Sequence, residues 1–160
     1  MSHRRGNGFP WRTVGLAAVL GIAGIILAIQ GVPVRRDNPP NADDIGAPPA
    51  VASILRRACY DCHSNETRWP WYSRVAPISW LIAHDVELGR EEMNFSEWGT
   101  YYPGTRRRKL KWMERALREE EMPLWSYRLM HPDARLSRTD RATLEQWIGQ
   151  TLSEPAGEMK

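Results

Sequence analysis

The sequence predicts an all-α protein, a small loop-rich helical domain behind one N-terminal transmembrane helix. Three observations predict it. From Thr13 to Val34 the only clearly polar side chains are Thr13 and Gln30. Behind that run, apolar residues recur at helical spacing and no alternating strand pattern competes. The length of 160 residues, with 42% hydrophobic and 26% charged residues and eight Trp, suits about one domain. It excludes a wholly disordered chain and a multi-domain enzyme. Two cysteines exclude a disulfide-stapled scaffold.

Charge is unevenly spread. Arg4, Arg5, Arg12, Arg35 and Arg36 precede the first acid, Asp37. Taking those five from 22 basic residues leaves 17 against 19 acidic ones. The basic character therefore belongs to the N-terminal segment, and a nucleic-acid partner is not expected.

Residues 1–12 read as a cytoplasmic N-terminus and 13–34 as the span. The run is apolar all round, and about 20 residues at ~1.5 Å each cross a hydrocarbon core of ~30 Å. Phe9 and Trp11 suit an interfacial aromatic belt. No small-x-small cleavage site follows the run and no lipoprotein cysteine sits there, so an uncleaved anchor is expected over a signal peptide. His3, Arg4, Arg5 and Arg12 outweigh Arg35 and Arg36, which Asp37, Asp43 and Asp44 soon follow. The positive-inside rule then puts the N-terminus in the cytoplasm. For a bacterial chain this means the inner membrane, with the domain on the periplasmic side.

Residues 35–49 form a Pro-rich acidic linker, expected to be an extended tether. Residues 50–152 form the domain, and 153–160 a tail. Val51, Ile54, Leu55 and Ala58 mark a short helix running into Cys59. A second helix spans Ile78 to Leu88, with Pro77 in its first turn and Gly89 as its stop. Asn94 caps a short helix from Phe95. A charged helix covers about Thr105 to Glu121, with the stripe Leu110, Met113, Ala116 and Leu117, and Met122-Pro123 ends it. The last helix opens at Ser137 with Asp140 as a capping-box partner and carries Leu144, Trp147, Ile148 and Leu152. The apolar core these helices supply is thin for about 100 residues, which leaves room for a cofactor at its centre.

Cys59-Tyr60-Asp61-Cys62-His63 is C-x-x-C-H and uses both cysteines. Two thiols three positions apart can form thioethers with the two vinyl groups on one haem edge, and the adjacent imidazole then lies under the iron. The motif reads as c-type haem attachment: one covalent haem c with His63 as iron ligand. A thioredoxin-like dithiol needs a βαβ context that is missing. A structural zinc site needs a second Cys/His pair. A plain disulfide leaves His63 without a role.

Met122 is the leading candidate for the sixth ligand, because it lies between the charged helix and the last one, as in small c-type cytochromes. Pro123 stiffens the loop that presents its sulfur. His131 and His84 are the alternatives, with Met130 and Met93 behind them. Met122 otherwise reads as a core filler. Trp69, Trp71, Tyr72 and Trp80 are expected to wall the pocket or to be ordinary core. Arg106-Arg107-Arg108-Lys109 could meet haem propionates, an acidic partner or anionic lipid, or could be a solvated helix face. Its cations at the N-terminal end oppose the helix dipole.

The string around the motif is more specific than the motif. Cys59 to Thr67 (CYDCHSNET), Trp69-Pro70-Trp71-Tyr72-Ser73, Ala76-Pro77, Gly89-Arg90 and Asn94-Phe95-Ser96-Glu97-Trp98 occur in order. Met122-Pro123, Tyr127, His131 with Ala134 and Leu136, and Trp147 follow. This resembles the bacterial "haem-binding domain" family of monohaem, c-type cytochrome-like proteins, over about Val51 to Trp147. The resemblance implies haem c held through Cys59, Cys62 and His63, and no defined reaction. The expectation is a membrane-anchored, periplasm-facing electron carrier with redox partners in or near the membrane and no catalytic residue. A haem sensor with an open or weakly ligated distal site is the alternative, and a peroxidase a weaker one.

Overall fold

The computed structural model describes residues 11–155. His3, Arg4, Arg5 and Phe9, and the tail from residue 156, lie outside the described residues. Among the described residues all regular structure is helical. The apolar helix α1 runs over Trp11–Ile29, and none of its residues is buried. Its 19 residues are long and apolar enough to cross a membrane. The chain then turns at residues 30–32.

The domain packs α2 (Pro49–Ala58), α3 (Tyr60–His63), α4 (Ile78–Glu92), α5 (Pro103–Arg118), α6 (Trp125–Met130) and α7 (Arg138–Ser153), with 3-10 turns at Trp71–Arg74, Phe95–Thr100 and Pro132–Ala134. Helix α3 packs on α4, α5 on α7, and α2 on both α3 and α7. The expected stripes face inward: Val51, Ile54, Leu55 and Ala58 of α2 are buried, as are Leu110, Met113, Ala116 and Leu117 of α5. On α7, Leu144 and Ile148 are buried, while Trp147 and Leu152 pack at the edge of the core. Ser137 and Asp140 form the capping box, satisfying two N-terminal amides reciprocally.

Helix α4 does not stop at Gly89 but runs to Glu92. Gly89 is there for contact. A Cβ on it would lie 2.6 Å from the Cys62 carbonyl oxygen, so only glycine lets α4 cross the C-x-x-C-H segment this closely. Helix α5 ends earlier than expected, at Arg118. Glu120 takes a left-handed φ of 58°, and the Glu121 amide turns back to donate to the Ala116 carbonyl. This reversal, rather than Pro123, ends the helix and delivers Met122.

The Pro-rich segment is extended, but it is strapped to the domain rather than standing off it. The Ile45 amide donates to the Phe95 carbonyl, and Ala42 and Asp43 donate to that of Ser96. Arg90 donates to the Asp37 carbonyl, and Asn65 to that of Pro40. Ile45 is part of the core, which is worth roughly 1.5–3 kcal/mol for such a side chain.

The basic run also has internal work. Arg107 donates to the Leu152 carbonyl at the end of α7, and Lys109 to the Glu92 carbonyl at the end of α4. Arg106 holds the carbonyls of Gly99 and Tyr101. Cations that oppose the dipole of their own helix thus complement the C-termini of its neighbours.

Candidate haem site

The site begins with α2, whose last turn hands the chain to Cys59 and the single turn α3. The His63 ring is buried, with Phe95 and Trp112 each tilted against it at 6.1 Å between centroids. Its Nδ1 lies 2.8 Å from the Gly89 carbonyl and 3.1 Å from that of Met93. A carbonyl can only accept, so Nδ1 carries the hydrogen and Nε2 keeps a free lone pair. Burial also pushes the imidazole pKa down, against the pull of the two carbonyls, and keeps the ring neutral. A neutral histidine oriented through its other nitrogen by backbone oxygen is how metal-bound imidazoles are held.

His63 lines a cleft of about 260 Å³ together with Cys59, Cys62, Trp112, Met122 and Tyr127. Burial pushes both thiols up to about 12. They are held as thiols, unlike the depressed thiol of a reactive dithiol. Two thiols, one oriented imidazole and one thioether therefore face a single mostly apolar cleft. This donor set fits a haem.

The remaining expected residues divide between two neighbouring hollows. One, of about 440 Å³, shares Cys62, Asp85, Leu124 and Tyr127 with the cleft and holds Trp71, Tyr72, Met130 and His131. There His131 stacks on Tyr127 at 4.0 Å. Its Nδ1 donates to the Tyr127 carbonyl, so its Nε2 accepts from the Tyr72 hydroxyl at 3.4 Å. Trp69 and His84 do not line the cleft. With Trp80 they border a groove between the strap and α4, where the Trp69 indole donates to Asn38. Met93 is buried in the core.

The family model described as Haem-binding domain matches residues 24–150. The chain belongs to the haem-binding domain family. No curated protein and no solved structure matches it. The haem-binding domain match begins within α1 and includes the strap, which is hydrogen-bonded to the helical core.

Several residues of the haem-binding domain had no functional reading in the sequence. Asp61, inside the motif, is buried and accepts from the Tyr127 hydroxyl at 2.6 Å and from the backbone and side chain of Arg68. It ties the C-x-x-C-H turn to α6, the helix that follows Met122-Pro123. Burial and the Asp61 carboxylate both push the Tyr127 hydroxyl up, so it stays a donor. Trp112 lies between Lys109 and Ala116 at helical spacing, a signal that could have placed it on the cleft side of α5. Asp85 and Leu124 carry no comparable signal.

Proposed function

We propose that this haem-binding protein is a membrane-anchored, periplasm-facing monohaem c-type cytochrome that carries single electrons, alone or as a subunit of a membrane redox complex. One observation carries the reading: His63, with its Nδ1 committed to two carbonyls, shares a cleft with Cys59, Cys62 and Met122. Cys59 and Cys62 would attach the porphyrin, and His63 Nε2 and the Met122 sulfur would hold its iron. The haem, when bound, supplies one-electron chemistry through its iron.

The chain's own residues do the rest. The Gly89 and Met93 carbonyls hold the imidazole plane and its proton. Phe95 and Trp112 keep water from the ring. Asp61 and Tyr127 hold α6 against the attachment turn. On this reading the iron cycles between two oxidation states and the protein is a carrier rather than an enzyme. The α1 anchor keeps it at high local concentration beside membrane partners. A second reading, a haem-based ligand sensor, draws on the 440 Å³ hollow beside the cleft, where His131 and Tyr72 stand.

The test is optical. Purified protein denatured in detergent should retain haem colour, and Cys59→Ser with Cys62→Ser should lose it. Met122→Ala should turn the iron high-spin and lower its potential. Haem that washes out of the denatured wild type defeats the c-type reading. A ferrous wild type that binds carbon monoxide rapidly favours the sensor.

A further inference from the structure

Around Pro77 the domain shows an apolar face that no part of the described chain covers. Trp71 is 74% exposed, Leu81 64%, Met130 58%, Ile78 47% and Val75 41%. Trp71, Ile78, Leu81 and Met130 border the same hollow, so the face is contiguous. Scattered single apolar residues need no explanation, but a joined set with an exposed tryptophan marks a contact surface.

The position of this face relative to α1 identifies what covers it. One residue past the end of α1, Gln30 reaches across to the domain. Its Oε1 accepts from the Ala76 amide at 3.0 Å and its Nε2 donates to the Ala76 carbonyl at 3.3 Å. Arg36 donates to the Ser73 carbonyl at 3.1 Å. The loop carrying Trp71 and Val75 is thereby pinned to the point where the apolar helix ends. Arg74, inside that loop and next to Val75 in the chain, is exposed, as is Arg35, the residue before Arg36. Tryptophan and aliphatic side chains next to arginines suit the headgroup boundary of a bilayer.

We propose that the haem domain lies down on the membrane it is anchored in, with Trp71, Val75, Ile78, Leu81 and Met130 seated in the interfacial region of the leaflet that α1 leaves. This rests on the reading of α1 as a span. It has a functional consequence. The hollow behind the face shares four lining residues with the haem cleft, so that side of the cleft is turned toward the bilayer, and its electron partner is reached along the membrane rather than from bulk solution.

The test uses the full haem-loaded chain in vesicles of phosphatidylethanolamine and phosphatidylglycerol, with a photoreactive benzophenone side chain at Leu81, at Val75, at Leu20 within α1, or at Tyr102, an exposed aromatic outside the face. Illumination should give several-fold more lipid adduct at Leu81 and Val75 than at Tyr102, with Leu20 as the positive reference. Brominated lipid should also quench wild-type tryptophan fluorescence more than that of Trp71→Phe. Lipid adduct at Leu20 with none at Leu81 or Val75 overturns the proposal and leaves the anchor intact. No adduct at Leu20 removes the anchor, and the proposal with it. Protein dimers crosslinked at Leu81 assign the face to a second copy and overturn it too, as does equal labelling at Tyr102.

Discussion

Replacing Gly89 by alanine separates a packing glycine from a helix-stopping one. In the interior of a helix, alanine is favoured over glycine by about 0.8–1.0 kcal/mol. Gly149, inside α7, has nothing within 4 Å of where its Cβ would sit, so Gly149→Ala should collect that gain. At Gly89 the new Cβ would lie 2.6 Å from the Cys62 oxygen, 3.1 Å from its carbonyl carbon and 3.2 Å from its Cβ. Two of these atoms are backbone and cannot swing aside, so α4 must withdraw. Overpacking of this kind costs about 1–3 kcal/mol. Withdrawal also stretches the His63 Nδ1 bond to the Gly89 carbonyl, a further ~1 kcal/mol. Subtracting the helix gain, Gly89→Ala should destabilise by about 1–3 kcal/mol, while Gly149→Ala stabilises by about 1 kcal/mol. At roughly 4 °C per kcal/mol, their melting temperatures should differ by about 8–16 °C. The assay is thermal unfolding of the haem-loaded protein in detergent, followed by far-UV circular dichroism. If Gly89→Ala melts as high as Gly149→Ala, the close crossing of α4 over the C-x-x-C-H segment is wrong.

Three other outcomes are expected. Ser137→Ala removes the hydroxyl that accepts from the Asp140 amide, and should lower stability by about 1 kcal/mol in denaturant titration without altering the haem spectrum. Burial pushes Asp140 up, but hydrogen bonds from Ser137 and Arg57 outweigh it and hold the carboxyl below its ordinary value. A depressed carboxyl contributes stability that is present above its unfolded pKa of about 3.9 and lost as pH falls through the folded value. Asp140→Asn should therefore flatten the loss of stability below about pH 4, and an unchanged acid profile would count against the cap. Tyr127→Phe leaves buried Asp61 short of one donor, at a cost of about 1–3 kcal/mol, and should lower the melting temperature with Cys59 and Cys62 attachment intact.

The helical architecture was largely legible because local spacing encodes it. Val51, Ile54, Leu55 and Ala58 declare their face within ten residues, and Ser137 with Asp140 caps its helix from three positions away. Local signals misled where a distant partner changes their meaning. Gly89 looks like a stop when Cys62 is out of view, and Pro39-Pro40 looks like a free tether when the Phe95 and Ser96 carbonyls are out of view. The basic run looks like a solvated face until the ends of α4 and α7 are brought to it.

The chain alone determined an apolar stretch long enough to cross a bilayer, the inward stripes of its helices, and two thiols spaced beside an imidazole. Each depends on periodicity or covalent spacing, which the order of residues carries directly. Only the tertiary structure decided which nitrogen of His63 is free, because the carbonyls that claim the other lie 26 and 30 residues along the chain. It also brought Met122 to the same cleft while leaving His84 outside it. Those choices follow from how closely α4 and the end of α5 approach the C-x-x-C-H turn, and that approach is set by packing between distant segments.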